Sequence, residues 1–181
     1  MPASTANDIL EVLGEDHQER GRRFAAMADV PSDRLAETFW RLIEILVHHE
    51  VAEEIVVYPA LRKLPGGSRI ADARTAEQSE MEHTLVLMDK HVPKSVEFAA
   101  EVSSLEKSVL EHARLEEAEV FPILLSYDVS RRLRLAERYE AAKCSTETER
   151  IADAAEMNRS VAVLGSVAAL VGRVREAASG V

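Results

Sequence analysis

A single cysteine, Cys144, in a chain of 181 residues excludes an internal disulfide and any thiolate metal cluster. It reads as an inert free thiol. Aromatic residues make up only 4% of the chain, so its core must be packed mainly with aliphatic side chains. Seven glycines and six prolines are too few for a turn-rich β architecture, and the abundance of Ala, Leu, Glu and Arg favours helices. Positive charge is outnumbered, with 22 Lys and Arg against 32 Asp and Glu. The resulting net charge of −10 argues against nucleic acid or an anionic membrane as partner, because both select basic surfaces. The longest apolar stretch, Val161 to Val174, is too short for a membrane span and is broken by Gly165, Ser166, Gly172 and Arg173. The first residues lack the basic and apolar regions of a signal peptide. A cytoplasmic protein is therefore expected, and a hydrophobic content of 46% suffices for one buried core.

What the chain does contain is a pattern written twice, His-x-x-x-Glu-Glu-x-x-x-aromatic-Pro. The copies align without a gap, His49 with His112, Glu53 with Glu116, Glu54 with Glu117, Tyr58 with Phe121 and Pro59 with Pro122. Four residues turn an α-helix through about 400°, so His49 and Glu53 project from one face, as do His112 and Glu116. Each pair can grip one metal ion. A further histidine precedes each copy, His17 after Asp16 and His83 after Glu82. Two such halves packed antiparallel would direct four imidazoles and two carboxylates into one core, which is the donor set of a dinuclear site. Without a metal that cluster would carry heavy desolvation costs.

Apolar spacing supports four long amphipathic helices. The first starts at Asn7 or Asp8 and carries Ile9, Leu10, Leu13, His17 and Phe24. The second starts near Ser32 or Asp33 and carries Phe39, Leu42, Ile43, Leu46, His49, Glu53 and Val57, with Pro59 kinking its end. After the turn Leu64-Pro65-Gly66-Gly67-Ser68, the third runs from about Ile70 to Lys90 with His83, and Pro93 stops it. The fourth starts at Ser95 and carries Phe98, Val102, Leu105, Val109, His112, Glu116 and Val120. This predicts an all-α, up-down-up-down four-helix bundle over residues 1–127. Residues 128–181 form an extension, basic from Arg131 to Arg138 and broken at Cys144-Ser145-Thr146-Glu147. A helix rich in small residues, among them Ala162, Gly165, Ala168 and Gly172, follows that break. It is expected to pack on the bundle or to mediate a homodimer.

Glu54 and Glu117 lie about 100° off the ligand face and read as outer-sphere or solvent-facing acids, as does His48 among the histidines. His91 reads as a helix-terminal charge. Tyr58 is the one asymmetry between the halves. Nine residues beyond His49 it falls about half a turn off the ligand face in an ideal helix, as a core aromatic would, yet Pro59 disturbs the helix there and a phenol could swing inward to a metal.

In His17, His49-x-x-x-Glu53-Glu54-x-x-x-Tyr58-Pro59, His83 and His112-x-x-x-Glu116-Glu117-x-x-x-Phe121-Pro122, the chain resembles the hemerythrin-like family of cation-binding helical bundles, over about Asp8 to Tyr127. The resemblance implies two non-haem iron ions with an oxo or hydroxo bridge, open to dioxygen, peroxide or nitric oxide. It also marks a departure. Oxygen-carrying members have a second histidine beside the one on the third helix, where this chain has Ser79 and Leu87, and an aspartate on the fourth, where it has Glu116. A more symmetric and more open site is implied, unsuited to reversible oxygen carriage.

Imidazole and carboxylate donors suit iron or manganese. The expected activity is an oxidoreductase of catalase or peroxidase type, acting on hydrogen peroxide or through it on nitric oxide, with His17, His49, His83 and His112 holding the metals and Glu53 and Glu116 bridging them. The alternatives are a non-enzymatic sensor or store for dioxygen, nitric oxide or iron, and a purely structural helical module.

Overall fold

A computed structural model describes residues 7–31, 33–88, 96–154 and 167–179. His91, Pro93, Ser95, Ala162 and Gly165 lie outside them. Within them the chain is helical, with no strand. Helix α1 is Ile9–Ala26. Helix α2 is Leu35–Ala52, prolonged by a π-helical turn, Glu53–Val57, and a last α turn, Tyr58–Leu61. Helix α3 is Gly67–Met88. Helix α4 repeats the plan of α2, with Val96–Leu115, a π turn at Glu116–Val120 and a last turn at Phe121–Leu124. These four form the up-down-up-down bundle, each packing on its chain neighbours and α1 also on α4.

The ends of the helices follow from local chemistry. Asp8 caps α1 with a reciprocal capping box, its carboxylate accepting from Leu10 N–H at 3.1 Å while Glu11 accepts from Asp8 N–H at 3.1 Å. Between α2 and α3 the chain reverses at Gly66, whose φ of 78° suits glycine. At Gly67 a Cβ would stand 1.9 Å from the Leu61 carbonyl oxygen, so only glycine lets the backbones approach. Leu13, Ile43, Leu46, Leu105 and Leu124 are almost wholly buried between the helices, each contributing roughly 1.5–3 kcal/mol relative to exposure. Phe39 and Phe98 meet edge to face at 5.0 Å in the half of the bundle away from the π turns.

The extension contributes two helices to the described structure, α5 (Val129–Ala154) and α6 (Val167–Ala178). The break expected at Cys144 is not there, for α5 runs through it. Helix α5 packs against α1 and α2, and α6 against α2, α3 and α5. Arg132 of α5 reaches the Asp8 carboxylate at 2.6 Å, tying the extension to the first cap. No helix of the described residues is long and apolar enough to cross a membrane.

Candidate metal centre

Both His-x-x-x-Glu pairs end where their helices cease to be α-helical. Pro59 and Pro122 have no N–H, and in an α-helix each ring would collide with the carbonyl four residues back. A π turn absorbs one extra residue and relieves the clash. Tyr58 N–H therefore bonds the carbonyl of Glu53, and Phe121 N–H that of Glu116. The kink expected at Pro59 is this widened turn. An extra residue sets the following side chains back by about 100°, which brings Tyr58 above Glu53 and onto the ligand face. Tyr58 is 0% exposed.

Two groups of donors result. His17, His49, Glu53 and Glu116 each offer an atom such that all four lie within 4.8 Å of one another, and Glu50, Glu53 and His112 form a second such group. Glu53 belongs to both. The Glu53 carboxylate has one oxygen 2.9 Å from His49 Nε2. Glu116 spans the groups in a looser way, 3.3 Å from His17 Nε2 and 3.7 Å from His112 Nε2.

Each imidazole is oriented from behind. The Nδ1 atom of His17 meets Glu117 at 2.9 Å, that of His112 meets Glu77 at 2.8 Å, and that of His49 meets Asp16 at 3.3 Å and the Tyr139 hydroxyl. With the proton on Nδ1, each Nε2 lone pair faces the centre, the arrangement that fixes ring angle and basicity in metal-ligating histidines. Glu117 thus stands behind His17, half exposed. Glu54 faces α6 instead, paired with Arg175 at 3.0 Å.

The third helix corrects the expected donor set. His83 is exposed on α3 and lies outside both groups. The residue of α3 that enters the core is Gln78, 3% exposed, and five residues of helix separate their directions by about 140°. The Gln78 amide donates to Glu53 at 2.9 Å and to the Tyr58 hydroxyl at 2.7 Å. Glu77 backs His112 as Asp16 backs His49. The true counterpart of Asp16-His17 is therefore Glu77-Gln78, and the donor groups hold three imidazoles, with His48 buried but outside them. It is also less symmetric than expected, with two histidines in one group and one in the other.

Two core residues carry a signal in their spacing from the ligands that the repeat does not show. Glu50 stands three residues before Glu53 and so shares its face, whereas the matching position in the second repeat is Ala113. Arg20, 1% exposed, follows His17 by three residues and approaches Glu50 at 3.4 Å. Tyr139 and Lys143, which hold Asp16 at 2.8 and 2.6 Å, come from the extension and have no counterpart in the duplication.

The comparison with known families now bears on this geometry. The profile of the hemerythrin HHE cation binding domain matches residues 8–124, the stretch containing the three histidines and three glutamates of the donor groups and both π turns. The chain belongs to the hemerythrin HHE cation-binding family. A DNA nickase from Nostoc sp. is 30% identical over 115 residues, which is 63% of this chain and 32% of that protein. The chain thus spans about a third of the relative it matches. No solved structure matches.

For this HHE chain the residues fit a cation on their own chemistry. His17 Nε2, His49 Nε2, Glu50 Oε2, Glu53 Oε1, Glu116 Oε2 and Gln78 Oε1 are buried atoms that form no hydrogen bond, and unpaired buried polar atoms are costly unless something satisfies them. The carboxylates tell the same story. Burial first, then the charges of Glu116 and Glu50, hold the Glu53 carboxyl well above its usual range. Burial also opposes ionisation of Glu116, but the neighbouring imidazoles of His17 and His112 outweigh it and keep Glu116 ionised. Burial pushes His49 well below the ordinary histidine value, helped by the Arg20 charge. For Tyr58, burial and the neighbouring Glu53 and Glu116 raise the phenol far above its usual value. It therefore keeps its proton and donates it to Glu116 at 2.8 Å. One more positive charge among these groups would let Glu53 ionise.

Proposed function

We propose that this chain holds two iron ions and acts as an oxidoreductase on hydrogen peroxide, disproportionating it to dioxygen and water or using it to oxidise nitric oxide. The observation that carries the reading is the sharing of Glu53 between two donor groups in which five buried atoms, on His17, His49, Glu50, Glu53 and Glu116, form no hydrogen bond. His17, His49, Glu53 and Glu116 would hold one ion, and Glu50, Glu53 and His112 the other. Iron there would supply Lewis acidity and electrons. The chain supplies the rest. Gln78, Tyr58 and Glu116 form a hydrogen-bonded run that holds an exchangeable proton at the Tyr58 hydroxyl, 3.5 Å from His112 Nε2. Tyr58 is accordingly either a ligand of the second ion or the proton donor beside it. The name DNA nickase belongs to a protein of which this chain spans about a third, and a net charge of −10 stands against DNA as substrate here.

The test is oxygen evolution from peroxide by protein loaded with iron under anaerobic conditions, read together with metal content and the visible spectrum. Rapid catalytic evolution with two irons per chain is expected. Slow stoichiometric bleaching would favour a sensor instead, a reading supported by α5 and α6, which grip Asp16 and Glu54 just behind the ligands. Failure to retain metal would defeat both.

Access has a candidate route. A narrow cleft of about 30 Å³ between α2, α3 and α6 is walled by Leu46, Met81 and Leu85, reaches Glu50 and Gln78, and has Glu54, Glu82 and Arg175 at its more exposed edge. Arg175 bonds both acids there at 3.0 Å. Such half-exposed pairs are worth about 0–1 kcal/mol, so they open readily. Replacing Arg175 with alanine is expected to speed removal of iron by a chelator several-fold while leaving the metal content at saturation unchanged. Equal release rates would exclude this face as the route.

A further inference from the structure

A second cleft, unrelated to the donor groups, lies between the end of α2 and the start of α5. It has a volume of about 360 Å³ and is lined by Lys63, Arg131, Arg134 and Arg138 over a floor that includes Val56, Pro59 and Leu135. We propose that it binds a small, multiply charged phosphate anion.

The charge balance makes the cluster unusual. In a chain with a net charge of −10, arginines elsewhere are paired as a rule, Arg22 with Glu19, Arg41 with Glu37, Arg62 with Asp72 and Arg114 with Glu111. Among the described residues none of the four cleft cations pairs with an acid. The acids nearest in sequence do not line the cleft. Asp128 accepts from the Arg131 N–H at 2.9 Å, capping α5, and Glu137, although only three residues beyond Arg134, is not part of the cleft lining.

The three arginines recur at helical spacing, so they project from one face of α5 toward Lys63 at the end of α2. Arg131 is also held in place, its guanidinium 4.0 Å over the Tyr127 ring, with N–H groups still available. Gathering four like charges beside an apolar floor costs electrostatic energy that an anion recovers, and guanidinium forks match phosphate oxygens. The cleft volume falls within the small-ligand range of about 300–1,000 Å³. A long polyanion would meet the acidic remainder of the surface, whereas a small one would not. Val56 belongs to the π turn that begins at Glu53, so the ligand would lie against the outer side of the turn that carries the shared glutamate.

Calorimetric titration of the full chain with tripolyphosphate, with ATP and with a short DNA duplex tests this. Saturable binding of tripolyphosphate or ATP is expected, weakened by added salt and weakened about tenfold or more by Arg134→Ala with Arg138→Ala. Both side chains are exposed, so the double variant should retain the parent circular dichroism. Equal affinity for the two phosphates would point to an inorganic ligand, and preference for ATP to a nucleotide whose base rests on Pro59 and Leu135. Absence of saturable binding, unchanged affinity in the folded double variant, or binding of the duplex alone would overturn the proposal.

Discussion

Replacing Glu53 with glutamine is expected to abolish tight iron binding and, in the same protein, to raise the melting temperature of the metal-free form. The two effects have one cause. Glu53 is 0% exposed and belongs to both donor groups, so neutralising it removes the negative charge that the two groups share. In the absence of metal that charge is a burden, because burial and the neighbouring Glu116 and Glu50 hold the carboxyl in its protonated form. The unfolded chain ionises it at neutral pH, so folding must take up a proton, and the glutamate's contribution weakens as pH rises from the ordinary carboxylate value toward the raised one. Glutamine needs no proton. Its amide can still accept from Gln78, now 2.9 Å from Oε2, and its N–H₂ can donate to the Nε2 lone pair of His49. Each kcal/mol relieved would raise the melting temperature of a chain this size by about 2–4 °C. Iron should stabilise the parent by mass action and leave the variant unmoved. Thermal melts of both proteins with and without iron read all four cases, and a variant that still binds iron tightly would remove Glu53 from its bridging place.

Much of the fold was legible because its signals are local. Helical spacing, the Asp8 cap and the glycine turn at Gly66 each depend on a few consecutive residues, and the His-x-x-x-Glu pairs declare their shared face by spacing alone. What escaped sequence reading depended on register between helices or on departures from ideal geometry. Tyr58 looks misdirected until the π turn is known, and the signal for that turn is Pro59, from which sequence alone predicts only a kink. Glu50 shares the ligand face by its spacing from Glu53, but its match in the second repeat is Ala113, so the repeat does not point to it. Tyr139 approaches from a segment outside the repeat, where no internal likeness could point to it.

The third helix gives the sharpest trial of that lesson, since a histidine and a glutamine compete for one role. Replacing His83 with alanine is expected to leave iron content, spectrum and stability unchanged, because the side chain is exposed and exposed substitutions usually fall within about 0.5 kcal/mol. Replacing Gln78 with leucine should weaken iron binding by about 10–100-fold, the range associated with loss of a group that orients a ligand. The leucine would fill the space but leave Glu53 Oε2 and the Tyr58 hydroxyl without the amide donor they share. A merely structural role for Gln78 predicts a different outcome, a loss of stability with metal affinity intact, so a chelator competition and a thermal melt on the same variant separate the two. If His83→Ala lowers the iron content and Gln78→Leu does not, the pairing of Asp16-His17 with Glu77-Gln78 is wrong, and α3 must turn by about 140° when metal binds.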